Sequence, residues 1–220
     1  MRTMALGKTG IVAGAVAFGG IINMNETQAD ADRFVAAAIE RGVNYFDVAP
    51  SYGDAEERLG PALRPYREGV YLACKTGRRD AGGAKAELLA SLDKLHTDHF
   101  DVYQLHAMTT RADIEQAFAP GGAMETFLWA RREGLVKNLG FSAHNEDTAL
   151  QLLDRFDFDT VLFPVNWAMG LVNGWGDRLA DRVREKGIGL LALKALVRRK
   201  WLEGEEHIYP KSWCQPIFGD

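Results

Sequence analysis

Residues 42–60 read GVNYFDVAPSYGDAEERLG, and the run GVNYFD at 42–47 is the first of three with one form. VYLACK fills 70–75 and DVYQLH fills 101–106. Each run is strand-like, and each closes on an ionisable side chain: Asp47, Lys75 and His106. Side chains alternate faces along a strand. Asp47 therefore shares a face with Tyr45 and Val43, Lys75 with Ala73 and Tyr71, and His106 with Gln104 and Val102. One ionisable group at each strand end, about 30 residues apart, is the pattern of a site at the C-terminal mouth of a parallel β/α barrel.

The same pitch continues in both directions. Further strand-like runs end near Gly19 (AGAVAFG), Ser142 (KNLGFS), Asn166 (TVLFPVN) and Lys194 (GIGLLALK). Helical patterns separate them. Thr27 and Asp30 form a capping box ahead of Phe34, Val35, Ala38 and Ile39. Leu88, Leu89, Leu92 and Leu95 mark another apolar face, and Asn145 is an N-cap before Leu150, Leu153 and Phe156. Leu179 and Val183 serve before the last run. Strand and helix alternating this regularly imply parallel pairing through right-handed crossovers. Seven strands are counted, and at about 29 residues per step an eighth would end beyond residue 220. The expected fold is α/β, a (β/α)8 TIM-barrel type with about seven βα units present and the eighth missing, in a single domain over 1–220. The tail 197–220, punctuated by Pro210 and Pro216, reads as irregular, with a loop and one short helix.

Composition excludes several classes. A chain of 220 residues with 47% hydrophobic and 25% charged residues can bury one sizeable core. Net charge is −4 and the longest basic run is Arg198-Arg199-Lys200, so nucleic acid is not an expected partner. No run approaches membrane-spanning length. Cys74 and Cys214 fit neither a disulfide framework nor a metal site, and a reducing cytoplasm is expected. The apolar stretch 11–22 is broken by Gly14, Gly19 and Gly20 and reads as the first strand rather than a signal sequence.

The chemistry follows from the residue types. Tyr52 lies in the loop VAPSYG (48–53), five residues after Asp47. A phenol titrates near pH 10 and becomes a useful proton donor when a cation and a hydrogen-bond partner favour its ionised form. Lys75 supplies the cation, Asp47 can hold that ammonium, and His106 can hydrogen-bond a carbonyl oxygen or relay the proton. Together they can polarise a C=O and protonate the alkoxide that forms. None of the four carries a hydride, so a reduction requires a nicotinamide cofactor.

These motifs resemble the aldo-keto reductases, a NAD(P)H-dependent (β/α)8 family. The resemblance runs from about Met4, where MALGKTGIVAGAVAFGG is similar to the family's N-terminal hairpin and first strand, to about Lys200. Residues 42–60, the lysine of ACKTG, DVYQLH and GFSAHN carry it. It implies Asp47, Tyr52, Lys75 and His106 as the catalytic tetrad, with Tyr52 as general acid. It implies Ser142 and Asn166 as contacts to the nicotinamide carboxamide, and Gly20, Ile21, Lys194 and Leu196 as positions along the cofactor, NADP(H) or NAD(H). The substrate implied is a small-molecule aldehyde or ketone.

Three departures stand out. Ser142 is followed by Ala143 where the family often has Asn, which would move one carboxamide contact to His144 or Asn145. LKALVRRKW after the seventh run lacks the family's aromatic, and Leu193 cannot stack on nicotinamide; a lysine there suits a prokaryotic branch. The eighth strand and following helix, which grip the adenosine 2′-phosphate, have no counterpart. NADPH should thus bind weakly and with little preference over NADH, the basic triplet 198–200 approaching the pyrophosphate. An absent strand would leave two open sheet edges, to be covered by the tail through Trp201, Trp213, Ile217 and Phe218 or by another chain, or else left bare in a marginally stable gene fragment. Specificity is expected in the loops 108–119 and 167–175, where Trp167, Met169 and Trp175 could wall a pocket. Two alternatives compete: an inactive or partner-binding protein on the same scaffold, and a Schiff-base aldolase using Lys75 or Lys194.

Overall fold

The computed structural model describes residues 1–208, 211 and 214–217. In chain order its strands are β1 (Thr3–Ala5), β2 (Val12–Gly14), β3 (Phe18–Gly19), β4 (Tyr45–Asp47), β5 (Tyr71–Thr76), β6 (Phe100–Met108), β7 (Val136–Ala143), β8 (Thr160–Pro164), β9 (Gly189–Leu193), β10 (Val197–Lys200) and β11 (Cys214–Pro216). Its helices are α1 (Gln28–Glu40), α2 (Ala55–Leu63), α3 (Ala81–Lys94), α4 (Arg111–Phe118), α5 (Ala123–Arg132), α6 (Glu146–Arg155), α7 (Trp167–Asn173) and α8 (Asp177–Lys186). Strands β3 to β9 pair in sequence order, all parallel, into one seven-stranded sheet. It is an open half-barrel, an incomplete TIM-like barrel with β3 and β9 at its two edges.

Local chemistry sets the helix starts. The Thr27 hydroxyl accepts from the Asp30 N–H at 3.1 Å, Asp80 accepts from Gly83, and Asn145 accepts from Thr148, so each helix begins with an orphan amide satisfied. Outward-facing strand residues such as Phe46, Cys74, Tyr103 and Phe141 pack against the helices. Inward-facing Tyr45, Ala73 and Val102 form a second, smaller core with Leu6, Ile11 and Ala13. Those last three belong to the β1–β2 hairpin, which plugs the barrel floor. Asn44 holds it from both sides, accepting from the Gly14 N–H at 2.7 Å and donating to the Val12 carbonyl at 3.0 Å.

Two expectations need correction. The run AGAVAFG is not one strand: Val12–Gly14 pairs antiparallel with β1, and only Phe18–Gly19 enters the parallel sheet. Gly14 marks the break, its missing side chain admitting the Gly42 carbonyl, 3.1 Å from where a Cβ would sit. The tail is likewise not irregular throughout, since β10 and β11 form an antiparallel pair. Strand formers alternate poorly there, but long-range pairing overrides a weak local signal. The tail does fold back: Lys211 donates to the Ile22 carbonyl at 2.7 Å and pairs with Glu26 on the far side of the opening. Of the four side chains named as a cover for the gap, Trp201 and Ile217 lie among the described residues. Trp201 stacks on His207 with ring centroids 4.7 Å apart, and Ile217 is exposed. Pro210, Trp213 and Phe218 lie outside the described residues. Among the described residues no helix is long and apolar enough to cross a membrane.

One glycine is needed to bring the sheet together under the site. A Cβ on Gly140 would stand 2.2 Å from Thr160 Oγ1, 2.9 Å from the Thr160 carbonyl and 3.3 Å from the Gln104 side chain. Gly140→Ala should therefore overpack β7 against its neighbours at a cost of about 1–3 kcal/mol. In a chain of this size that lowers the melting temperature by several degrees. An unchanged melting temperature would show that β8 yields to the extra methyl.

Candidate active site

The stagger of the half-barrel gathers the strand ends. Gly19 lies beside Asp47, Asp47 beside Ala73, Lys75 beside Gln104, and Gln104 beside Gly140. Each strand runs two residues past its registered neighbour before its next polar position. Asp47, Lys75, His106 and Ser142 consequently all fall on the inner face, rising around the mouth.

Lys75 is the centre of this group and is fully buried. Its ammonium donates to the Asp47 carboxylate and, at 3.1 Å, to the Val48 carbonyl. The other Asp47 oxygen accepts from Gln104 Nε2 at 3.1 Å. Burial is the largest single influence and pulls the lysine pKa down, but the Asp47 carboxylate and its hydrogen bond, with Tyr52 and Cys74, together outweigh it, and the net direction is upward. The group stays charged, which disfavours Schiff-base chemistry on Lys75.

Tyr52 is delivered by the turn that follows β4, in which its N–H donates to Ala49 and its carbonyl accepts from Ala55, both at 3.0 Å. Its ring centroid is 5.4 Å from Lys75 Nζ and 5.9 Å from the His106 ring, edge to face. Burial raises the phenol pKa; Lys75 opposes this without reversing it, so the net direction is upward. The hydroxyl is therefore protonated at neutral pH and available as a donor. That refines the sequence reading, in which the cation dominated.

His106 sits in a β-bulge. Leu105 registers with Phe141 and Met108 with Ala143, so β6 carries one extra residue, and Ala107 takes φ +52°. The imidazole pKa falls to about 4, chiefly through burial, with Lys75, Arg79 and His144 adding repulsion. It is neutral near pH 7, and Ser51 Oγ lies 3.4 Å from Nδ1.

The expected cofactor positions separate into two groups. Ile21, Ser142 and Lys194 line a cavity of about 1170 Å³ whose wall also holds Asp47, Tyr52 and His106. Ser142 Oγ accepts from the Ala107 N–H at 2.8 Å and keeps its hydrogen to donate. Gly20 is needed for packing, because a Cβ there would meet the Asp47 carbonyl and Val48 Cβ at 2.9 Å. The run expected to end at Asn166 stops at Pro164, and Asn166 caps α7 instead. Its amide accepts from Ala168 at 3.0 Å and donates to the Val197 carbonyl at 2.7 Å. Leu196 is 72% exposed, and its carbonyl accepts from Ile217.

Arg199 of the basic triplet is bound to Glu205 by two contacts of 2.7 Å, not held open for a pyrophosphate. Trp167 and Met169 are exposed and Trp175 stacks on Phe163, so none of the three walls the cavity. The wall instead includes Ile22, His144 and Lys211, which strand periodicity does not single out.

Known proteins show the same arrangement of chain. The profile of the Aldo/keto reductase family matches residues 10–208. The chain belongs to the aldo/keto reductase family. It is 30% identical over 157 residues to the "Uncharacterized oxidoreductase YqkF" of Bacillus subtilis, covering 65% of this chain and 49% of that protein. It is 27% identical over 211 residues to the L-galactose dehydrogenase of Arabidopsis thaliana, covering 87% of this chain and 64% of that one. The chain thus spans about half to two thirds of these relatives. A solved Pseudomonas aeruginosa structure assigned to the aldo-keto reductases superposes with TM-score 0.78 at 25% identity, over 88% of this chain and 77% of that one. The holo form of aldo-keto reductase AKR11C1 from Bacillus halodurans gives TM-score 0.76 at 23% identity, over 95% of this chain and 73% of that one. The aldo-keto reductase resemblance read from residues 42–60 is thereby established for the family and the fold.

The site generates two stability predictions. Lys75→Met leaves the Asp47 carboxylate without its cation and should cost about 3–5 kcal/mol. A melting temperature equal to that of the unmodified chain would show that the pair is not buried. The second concerns pH. The folded pKa of His106 lies below its ordinary value of 6.5, so the unfolded chain binds more protons between these limits. Stability is full above pH 6.5 and falls as the pH drops towards about 4. His106→Gln should flatten the denaturant-midpoint profile in that window relative to the unmodified chain; parallel profiles would mean that His106 titrates normally.

Proposed function

We propose that this site reduces an aldehyde or ketone to an alcohol, with Tyr52 as the general acid. The observation that carries the reading is the convergence of Tyr52 and a neutral His106 on the wall of one cavity, with a charged Lys75 buried beside the Tyr52 ring. A reduced nicotinamide dinucleotide, if bound in that cavity, would supply the hydride. Everything else falls to the chain. Neutral His106 and the Tyr52 hydroxyl hydrogen-bond the carbonyl oxygen and draw electron density onto it. Tyr52 passes its proton to that oxygen, so C=O becomes CH–OH and a phenolate remains. The Lys75 ammonium, held by Asp47 and Val48, stabilises that phenolate. Asp47 is kept in place by Gln104 and does not itself exchange a proton with substrate.

The residues fit the nicotinamide end of such a cofactor. Ser142 is almost fully buried, stands on the cavity wall and retains a hydroxyl hydrogen for a carboxamide oxygen. Ile21 and Lys194 border the same space. The far end is less provided for: Arg199 is tied to Glu205 and Lys211 to Glu26. This favours modest discrimination between NADPH and NADH. The holo form of the Bacillus halodurans neighbour, which shares the fold, is consistent with a cofactor-dependent reaction.

Tyr52→Phe tests the assignment, since it removes the hydroxyl and keeps the ring. Reduction of a small aldehyde, followed by NADPH absorbance, should fall at least about a hundredfold. Cofactor affinity by calorimetry and the melting temperature should stay near those of the unmodified chain. Retention of more than about a tenth of the rate would remove Tyr52 from the role of acid.

A further inference from the structure

We infer that Arg79, braced by Asp113, is a positioning residue that clamps the bulge at 106–107 and so sets where the His106 ring and the Ser142 hydroxyl stand. The inference rests on the proposed reduction for its catalytic consequence, and on geometry alone for the clamp.

The bulge needs holding. Ala107 is a non-glycine residue at φ +52°, a conformation that crowds the Cβ of an L-residue and persists only where the surroundings impose it. Two contacts impose it from opposite sides. Ser142 Oγ takes the Ala107 N–H at 2.8 Å. Arg79 Nη2 donates to the His106 carbonyl at 2.7 Å and to the Ala107 carbonyl at 3.3 Å. One guanidinium edge therefore grips both peptides that flank the strained residue.

The guanidinium is itself fixed. Its Nε donates to Asp113 Oδ1 at 3.0 Å and Nη1 to the Gly77 carbonyl at 3.2 Å, and the Arg79 side chain is only 11% exposed. Asp113 is committed in turn. Burial would raise its pKa, but hydrogen bonds from Thr110 and Arg79 bring it down to about 2. Its Oδ2 accepts from both the N–H and the hydroxyl of Thr110, closing the start of α4. Arginine suits this place because its planar fork reaches several acceptors at fixed angles, which an ammonium cannot do.

The loop that carries Arg79 does not depend on the side chain. The Arg79 carbonyl accepts from Ala123 at 2.8 Å, Ala81 donates to Gly121 at 2.7 Å, and Thr126 donates to the Ala81 carbonyl at 2.7 Å. Variants of Arg79 should accordingly fold. They should lose only the grip on the bulge, and His106 would then relax among its other neighbours, Tyr52, Lys75, His144 and Ser51.

Arg79→Lys and Arg79→Met, with circular dichroism as the check on folding, separate a clamp from a mere charge. The first readout is the His106 ring titration followed by NMR, which needs neither substrate nor cofactor. The clamp predicts that both variants move the inflection upward by about one pH unit as the ring gains solvent. A shift in Arg79→Met alone would mean that charge suffices, and would overturn the clamp. The second readout is steady-state reduction: kcat should fall about a hundredfold in both variants, with KM changed only a few-fold. A lysine variant with unaltered titration and unaltered kcat would also overturn it. If the unmodified chain reduces no carbonyl, the reductase reading falls while the titration still decides the clamp.

Discussion

A lysine ammonium without access to water is the constraint around which the upper barrel is organised. Such a charge is costly to bury unless every donor direction finds an acceptor. Asp47 and the Val48 carbonyl supply acceptors at the end of β4. Gln104 steadies Asp47 from β6, and Gly140 on β7 leaves the space in which Gln104 lies. One cation is thus the centre of a group drawn from four neighbouring strands. The proposed acid, Tyr52, stands against that cation on a turn whose backbone bonds are local. Placement of the charge comes from long-range pairing, and placement of the proton donor from a short loop.

Much of this was legible in the sequence, for identifiable reasons. Strict alternation placed Gln104 on the face of His106 and Tyr45 on that of Asp47, and both lie on the inner side. The N-caps at Thr27 and Asn145 announce themselves because Thr and Asn favour those positions locally. The parallel order follows from the pitch of the runs. What stayed hidden depends on contacts between distant segments. Nothing in AGAVAFG says that its first half pairs backwards with residues 3–5. Nothing in the spacing of TVLFPVN shows Asn166 spending its amide on Ala168 and Val197. The bulge at 106–107 is invisible because Ala is no signal of left-handed backbone, and its cause, Arg79, lies some 27 residues earlier.

Electrostatics shifted one emphasis. Charge complementarity between Lys75 and Tyr52 suggests an acidified phenol, yet burial outweighs it and the hydroxyl remains firmly protonated. For a residue that must give up a proton only when an alkoxide forms, this is a workable state: the donor is filled before the reaction, and the ammonium matters after transfer. The tail adds a different kind of constraint. Lys211 and Arg199 are basic side chains near the cavity, but each already holds a carboxylate, Glu26 and Glu205. An anion entering there must displace an existing partner, and affinity is reduced by the cost of that exchange.

The hairpin that plugs the barrel floor has a consequence for the order in which the protein can be made. Lys8 donates its N–H to the Gly187 carbonyl, and Leu6 packs where Gly189 leaves room. Those partners are separated by almost the whole described chain. A nascent polypeptide emerging from its N-terminus would carry Leu6, Ile11 and Ala13 uncovered on their β9 side while some 180 further residues are synthesised. Contacts of such sequence separation form late and slowly, and apolar surface held open meanwhile invites association with other chains. The hairpin residues, translated well before β9, are among the last to find their complete surroundings.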